Sequence, residues 1–242
     1  KTVAAKEPGS WQSYVCGTIA KFIEAAPEKA TFNFQAVIDG NLPVGGGVSS
    51  SASLEVSMMT FLEEIYNSPF ELQKKALLCQ AAEHEYADMP CGIMDQLITT
   101  TGKQGRALLI DCRSLVTKPV TIAQGSTKIV VTNSMVKHDL HDSEYPQRVQ
   151  QCKESLDAIA KHFGTTKRSL RDVTMEEVQE AFDAKHMSEL AFKRARHVVT
   201  ENTRTEKAVE AFRAGDYDTA GKLMCESHQS LKDDYEVSCE EV

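Results

Sequence analysis

Residues 41–55 read Asn41-Leu42-Pro43-Val44-Gly45-Gly46-Gly47-Val48-Ser49-Ser50-Ser51-Ala52-Ser53-Leu54-Glu55. Three consecutive glycines carry no Cβ, so the backbone there is free to take positive φ and to lie close against a ligand. Three serines follow, and then Leu54, Met58, Phe61, Leu62 and Ile65 recur at helical spacing. A glycine loop that feeds a helix start aims unpaired N–H groups and the positive end of the helix dipole at one point, and phosphate is the usual occupant of such a point. A serine-capped turn that binds nothing fits the same spacing. Two familiar phosphate patterns do not fit. No Gly-Lys-Ser/Thr follows the glycines, and Gly-x-Gly-x-x-Gly would need a glycine where Ser50 stands.

The totals narrow the class. The chain has 242 residues, 41% hydrophobic and 26% charged, as in an ordinary soluble globular protein of one or two domains. Its net charge is −8, which argues against a nucleic-acid scaffold. An acidic balance still permits an anionic ligand, because backbone amides and a metal ion neutralise phosphate locally. Seven scattered cysteines without a Cys-x-x-Cys pair favour reduced thiols in a cytosolic protein over a disulfide frame or a zinc site. No apolar run approaches the ~20 residues that span a bilayer, and no signal peptide is visible. The chain begins at Lys1 and stops at Val242 soon after a helical pattern, and we expect a fragment.

Along the chain, Ser10 is placed to cap a helix through Trp11, Tyr14, Val15, Ile19 and Phe22. Residues 31–38 alternate like a half-buried strand, and Asp39-Gly40-Asn41 turns into the glycine loop. A helix after Pro69 sets Leu72, Ala76, Cys79, Glu83 and Tyr86 on one stripe. Glu83 is the anomaly, because an ionised carboxylate on an apolar face is costly unless something pairs with it. A buried ion pair, a hydrogen bond or a metal would each serve. Pro90 and Gly92 break the chain before another helix with Asp95 in its first turn, where the dipole favours a carboxylate. Residues 107–111 and 128–132 read as buried strands around a loop at 120–127. His138-x-x-His141 is expected to be a solvated loop, since no further zinc ligand stands at a recognisable distance. A helix from Tyr145 is expected to bury Val149, Cys152, Leu156, Ile159 and Phe163, and helices are expected over 174–182, 186–213 and 216–231. Lys193, Arg194, Arg196 and His197 are expected on a solvated helix face.

The string Pro43 to Ser53 closely resembles the phosphate-loop signature of the GHMP small-molecule kinases, in the form found in galactokinases. The resemblance runs through nearly the whole chain and is strongest at 42–55, 79–96, 105–114 and 143–152. It implies an α+β GHMP kinase fold, two α/β domains with mixed sheets and helices. Residues 1–124 would form the ATP-binding N-terminal domain and 125–242 a helix-rich C-terminal domain. It also implies ATP and Mg²⁺, with the nucleotide held by Gly45, Gly46, Gly47, Val48, Ser49, Ser50, Ser51, Ala52 and Ser53. Trp11 and Tyr14 match a Trp-x-x-Tyr segment near the adenine, although core packing is the ordinary use of a single tryptophan. Ala81-Ala82-Glu83-His84 resembles the position where a glutamate reaches magnesium, with the Ser51 hydroxyl as its partner ligand. Magnesium takes a sparse protein shell completed by water and phosphate, which suits such a pair.

Cys91-Gly92-Ile93-Met94-Asp95-Gln96 resembles the family's catalytic segment. The resemblance makes Asp95 the catalytic carboxylate facing the sugar hydroxyl, and gives Gly92 a sugar contact. Cys91 reads as a packed thiol. Ser143-Glu144-Tyr145-Pro146 is similar to the segment whose tyrosine hydrogen-bonds the sugar, so Tyr145 joins the candidates. The implied reaction is in-line phosphoryl transfer to galactose, in the cytoplasm and by a monomer, with no membrane or nucleic-acid partner. Two family segments do not occur in this stretch: an upstream Gly-Glu-His-Thr-Asp-Tyr type and a downstream glycine-rich one. This chain by itself is therefore expected to have little activity. An N-acetylgalactosamine kinase and a non-catalytic galactose sensor are the rivals. The sensor is disfavoured because Ser51-Ala52 and Asp95 are both present.

Overall fold

The computed structural model describes residues 10–29, 34–122, 127–136 and 145–242, without the side chains of Lys29 and Tyr145. These divide into two compact units, Lys1–Pro119 with Met135–Asp142 and Val120–Ser134 with Ser143–Val242. The expected boundary at 124/125, the His138-x-x-His141 segment, Ser143-Glu144 and residues 31–33 of the expected first strand lie outside the described residues.

In the first unit, helices α1 (Trp11–Ala25), α2 (Ser50–Tyr66) and α3 (Leu72–Tyr86) pack together. Their core holds Phe22, Met58, Met59, Leu62 and Cys79, with Val15, Ile19 and Phe61 partly buried against it. Gly17 brings α1 and α3 close: a Cβ there would lie 2.8 Å from Tyr86 Cβ and 2.9 Å from the Ala82 carbonyl oxygen. Asn67 ends α2 at φ 46°, its N–H donating to the carbonyls of Glu63 and Glu64. A buried Lys75–Glu63 ion pair then ties α3 back to α2, and Glu63 Oε1 also accepts the Phe70 N–H at 2.8 Å. Helix α4 (Met94–Thr101) packs through Ile93 and Leu97 on Ala76 of α3. Ile110 and Leu115 of a hairpin, β1 (Arg106–Ile110) and β2 (Thr117–Thr121), join that cluster.

The second unit contains α5 (Tyr145–Phe163), α6 (Met175–Asp183), α7 (Glu189–Ala214) and α8 (Tyr217–Asp233). Ile159, Val178, Met187, Phe192 and Ala195 form its core. Thr174 and Glu177 make a reciprocal capping box at the start of α6, and Gly215 closes α7 at φ 71°.

Four sequence expectations are corrected. Residues 34–38 and 128–132 form no strand. Val37 is 96% exposed and Val130 80%. Alternation becomes a strand only when a neighbouring strand completes its ladder, and β1–β2 is the single pairing among the described residues. With the helices, that pair makes the described residues a helix-rich α+β fold, as the resemblance implies. Ser10 stands at a helix start, but its side chain accepts no backbone N–H. Ser10 Oγ instead lies 3.3 Å from Ser13 Oγ. Val149, expected on the buried side of α5, is 52% exposed.

The basic cluster of α7 is the fourth correction. Arg194 is 1% exposed and His197 7%. Arg194 donates to Gln151 Oε1 at 2.7 Å, to the Asp234 carbonyl at 2.5 Å and to Glu236 Oε2 at 2.8 Å. His197 bonds Ser230 Oγ at 2.9 Å and stacks on Tyr235, with ring centroids 4.3 Å apart. Neighbours in sequence point around a helix, but Arg194 and His197, three apart, share the face that grips residues 234–236.

Candidate active site

The glycine loop takes the conformation its composition permits. Gly45 and Gly47 sit at φ 71° and 70°, and Ser49 at φ 59°. The Gly46 N–H closes a turn on the Pro43 carbonyl at 3.3 Å. Neither Gly45 nor Gly47 has an atom within 4 Å of where a Cβ would stand, so it is the positive φ, not crowding, that calls for glycine there. Helix α2 starts at Ser50 with no side-chain cap from Ser49, which leaves its first-turn N–H groups pointing out of the helix end. Gly45 and Gly47 are exposed, and Val48, Ser49, Ser50, Ser51 and Ser53 are half-buried. Ala52 is fully buried and can offer a ligand its backbone alone.

Three helices bring their polar groups together behind this loop. From α3, the Glu83 side chain is 3% exposed. Burial pushes its pKa up, and the negative charge of Asp95 pushes the same way, while hydrogen bonds from the Cys91 thiol, the Ser51 hydroxyl and the Gln96 amide favour the charged form. Gln96 Nε2 donates to Glu83 Oε2 at 2.7 Å. Glu83 is thus held by Ser51 and Gln96, and Asp95 stands within reach of its charge. Gln80 Nε2 and His84 Nε2 donate to the Cys91 carbonyl at 3.1 and 2.7 Å, fixing the turn that carries exposed Gly92 into α4. The Cys91 thiol itself is pushed up to about 12, first by burial and then by Glu83, so it stays protonated as a packed donor.

Tyr14 and Trp11 separate. Tyr14 is buried, its hydroxyl pushed up to about 12 by burial and by the charges of Glu83 and Glu55, whereas Trp11 is 57% exposed at the start of α1. Tyr145 opens α5, in the second unit.

Two residues of this cluster carry no role in the sequence reading. Glu55 of α2 is fully buried, and its carboxyl is pushed up to about 9 by burial first and Glu83 second. Gln96 is fully buried too and reaches Glu55 Oε2 at 3.2 Å. The available signal was the spacing Ser51, Glu55, Met58, Leu62, which puts an acid in the apolar stripe of α2.

The donor set suits a magnesium ion. Glu83 is a buried carboxylate beside a hydroxyl, and the groups acting on it most strongly include no cation. One carboxylate and one hydroxyl leave the rest of an octahedral shell to phosphate and water.

Comparison with known proteins bears on the family and the fold. Residues 13–103 match the GHMP kinases N terminal domain. The chain is 49% identical over 238 residues to a galactokinase of Homo sapiens, covering 98% of this chain and 58% of the relative. It is 41% identical to a galactokinase of Haemophilus influenzae, covering 98% and 60%. The crystal structure of Lactococcus lactis galactokinase complexed with galactose superposes with a TM-score of 0.87 at 32% identity, covering 99% of this chain and 61% of that one. The chain thus spans about three fifths of the length of these relatives. Taken with the glycine loop, these matches lead to one conclusion: the chain carries a GHMP kinase N-terminal domain in residues 13–103 and is similar along nearly its whole length to galactokinases.

Proposed function

We propose that the protein carrying this chain transfers the γ-phosphoryl group of ATP to the anomeric hydroxyl of galactose. The observation that carries this reading is the meeting of Ser51, Glu83 and Asp95, from three helices, behind a glycine loop at a helix start. The relatives are galactokinases, and the Lactococcus lactis structure holds galactose.

In this reading Gly45, Gly46, Gly47 and the N–H groups of residues 48–53 receive the phosphates, and exposed Trp11 faces the adenine above the buried Tyr14. Ser51 and Glu83 hold Mg²⁺, which when bound supplies positive charge to the β- and γ-phosphates. Gly92 contacts the sugar. Asp95 accepts the proton of the anomeric hydroxyl as that oxygen attacks the γ-phosphorus in line and ADP leaves. In such reactions the protein mostly positions reactants and stabilises charge. Residues 1–124 form the nucleotide-binding domain and 125–242 the helix-rich one. The seven cysteines, none of them in a disulfide, support a reducing, cytoplasmic setting, and among the described residues no helix is long and apolar enough to cross a membrane.

The test is Asp95→Asn in the intact protein, read by ADP release with galactose. A lost proton acceptor is expected to lower kcat by ~10²–10⁴-fold with little change in KM for ATP. Near-normal turnover would refute the assignment.

A further inference from the structure

We propose that Gln96 is a positioning residue for the metal-binding carboxylate, its amide seated by Glu55 and holding Glu83 in place. The inference rests on the reading of Glu83 as a magnesium ligand, and the geometry behind it is independent of that reading.

Gln96 stands one residue past Asp95 in α4 and is fully buried. An amide nitrogen has two hydrogens, and three acceptors stand in their reach: Glu83 Oε2 of α3 at 2.7 Å, Glu55 Oε2 of α2 at 3.2 Å and Cys91 Sγ at 3.8 Å. The Glu83 carboxylate fixes which way the amide faces, because a flip would turn the amide oxygen against Glu83 Oε2. Gln96 thereby joins the three helices that carry the site. Glu55 lies one turn beyond Ser51 on α2, Glu83 belongs to α3, and Asp95 precedes Gln96 on α4.

A packing role alone does not account for the choice of residues. Glu55 Oε1 and Gln96 Oε1 are buried without a hydrogen-bond partner, a cost that an apolar pair of similar shape would avoid. What the amide provides is a hydrogen bond to Glu83 without a positive charge. A lysine or arginine in its place would also grip the carboxylate, but would cancel the charge that a divalent cation needs. Residues that orient a metal ligand from behind commonly act this way.

The experiment is Gln96→Leu in the intact protein, with Mn²⁺ as the probe. Bound Mn²⁺ is measured by electron paramagnetic resonance in the presence of ADP, alongside the Mg²⁺ dependence of the rate and KM for galactose. The Mn²⁺ dissociation constant is expected to rise ~10–100-fold, the Mg²⁺ requirement to rise with it, and KM for galactose to hold. Should Gln96→Leu not fold, Glu55→Leu and Glu55→Gln make the same test. The leucine removes the acceptor that seats Gln96 and weakens Mn²⁺ binding, while the glutamine keeps a carbonyl acceptor and restores it.

Wild-type Mn²⁺ affinity in both Gln96→Leu and Glu55→Leu would overturn the proposal. So would a parallel rise in KM for galactose, which assigns Gln96 to packing. Glu83→Gln separates the two levels. If it leaves Mn²⁺ binding unchanged, the metal reading of Glu83 fails. If it weakens binding while Gln96→Leu does not, the positioning role alone fails.

Discussion

At the scale of single residues, the site is built on a tension between burial and charge. Glu55 and Glu83 are both sequestered, and the charge of Glu83 raises the cost of ionising Glu55. The carboxyl of Glu55 moves from 4.5 in its ordinary state to about 9 in the folded protein. Between those values the unfolded chain has released the proton and the folded chain keeps it. Stability contributed by the protonated, folded form is therefore lost as pH rises through this window. Glutamine has nothing to release. Without divalent cation, wild-type stability is expected to fall between pH 5 and 9, and Glu55→Gln to flatten that slope, as read from urea melts at several pH values. Parallel slopes in the two proteins would show that Glu55 does not titrate as its burial implies. His197 gives the opposite sign. Burial lowers it from 6.5 to about 4, with Arg204 and Arg194 acting in the same direction against Asp234. Its stabilising contribution is complete above pH 6.5 and is lost as pH falls toward 4, an effect of up to about 3 kcal/mol. His197→Gln should remove most of that acid sensitivity in the same melts.

At the scale of elements, close helix contact sets the distances. Gly17 lets α1 approach α3 on the turn that carries Glu83. A methyl group at Gly17 would meet Tyr86 Cβ and the Ala82 backbone oxygen inside van der Waals range. Gly17→Ala is expected to destabilise the protein by about 1–3 kcal/mol through overpacking, measured as a lowered thermal midpoint. An unchanged midpoint would mean that α1 and α3 slide apart freely. Much of this layer was legible in the sequence. The stripes of α1, α2 and α3, apart from exposed Trp11, Ile65 and Leu72 near the helix ends, the short α4 that begins beside Asp95 and the break at Gly215 follow from helical periodicity and from Gly and Pro. The Glu83 anomaly was legible too, because a charge in an apolar stripe demands a partner. Gln96 was not, since an uncharged amide one place after the aspartate raises no such flag. Arg194 was missed for another reason. Its burial depends on residues 234–236 packing back over α7, and helix periodicity does not report what a distant segment covers.

At the scale of the whole molecule, the glycine-loop string and the Cys91–Gln96 segment carried the family, and the match over 98% of the chain to galactokinases agrees with them. The strands expected at 31–38 and 128–132 were overread in the described residues 34–38 and 128–132, because a strand is a property of a pair, and the alternation in one segment says nothing about its neighbour. The central claim is that Ser51, Glu83 and Asp95 form one site around a magnesium-bound triphosphate and its acceptor sugar. A crystal structure of the intact protein with Mg²⁺, a non-hydrolysable ATP analogue and galactose tests it most directly. The account predicts a metal about 2.0–2.1 Å from the Ser51 hydroxyl and a Glu83 carboxylate oxygen, with Asp95 in hydrogen-bond reach of the anomeric hydroxyl. A metal and triphosphate bound away from Ser51 and Glu83, or a sugar out of reach of Asp95, would contradict it.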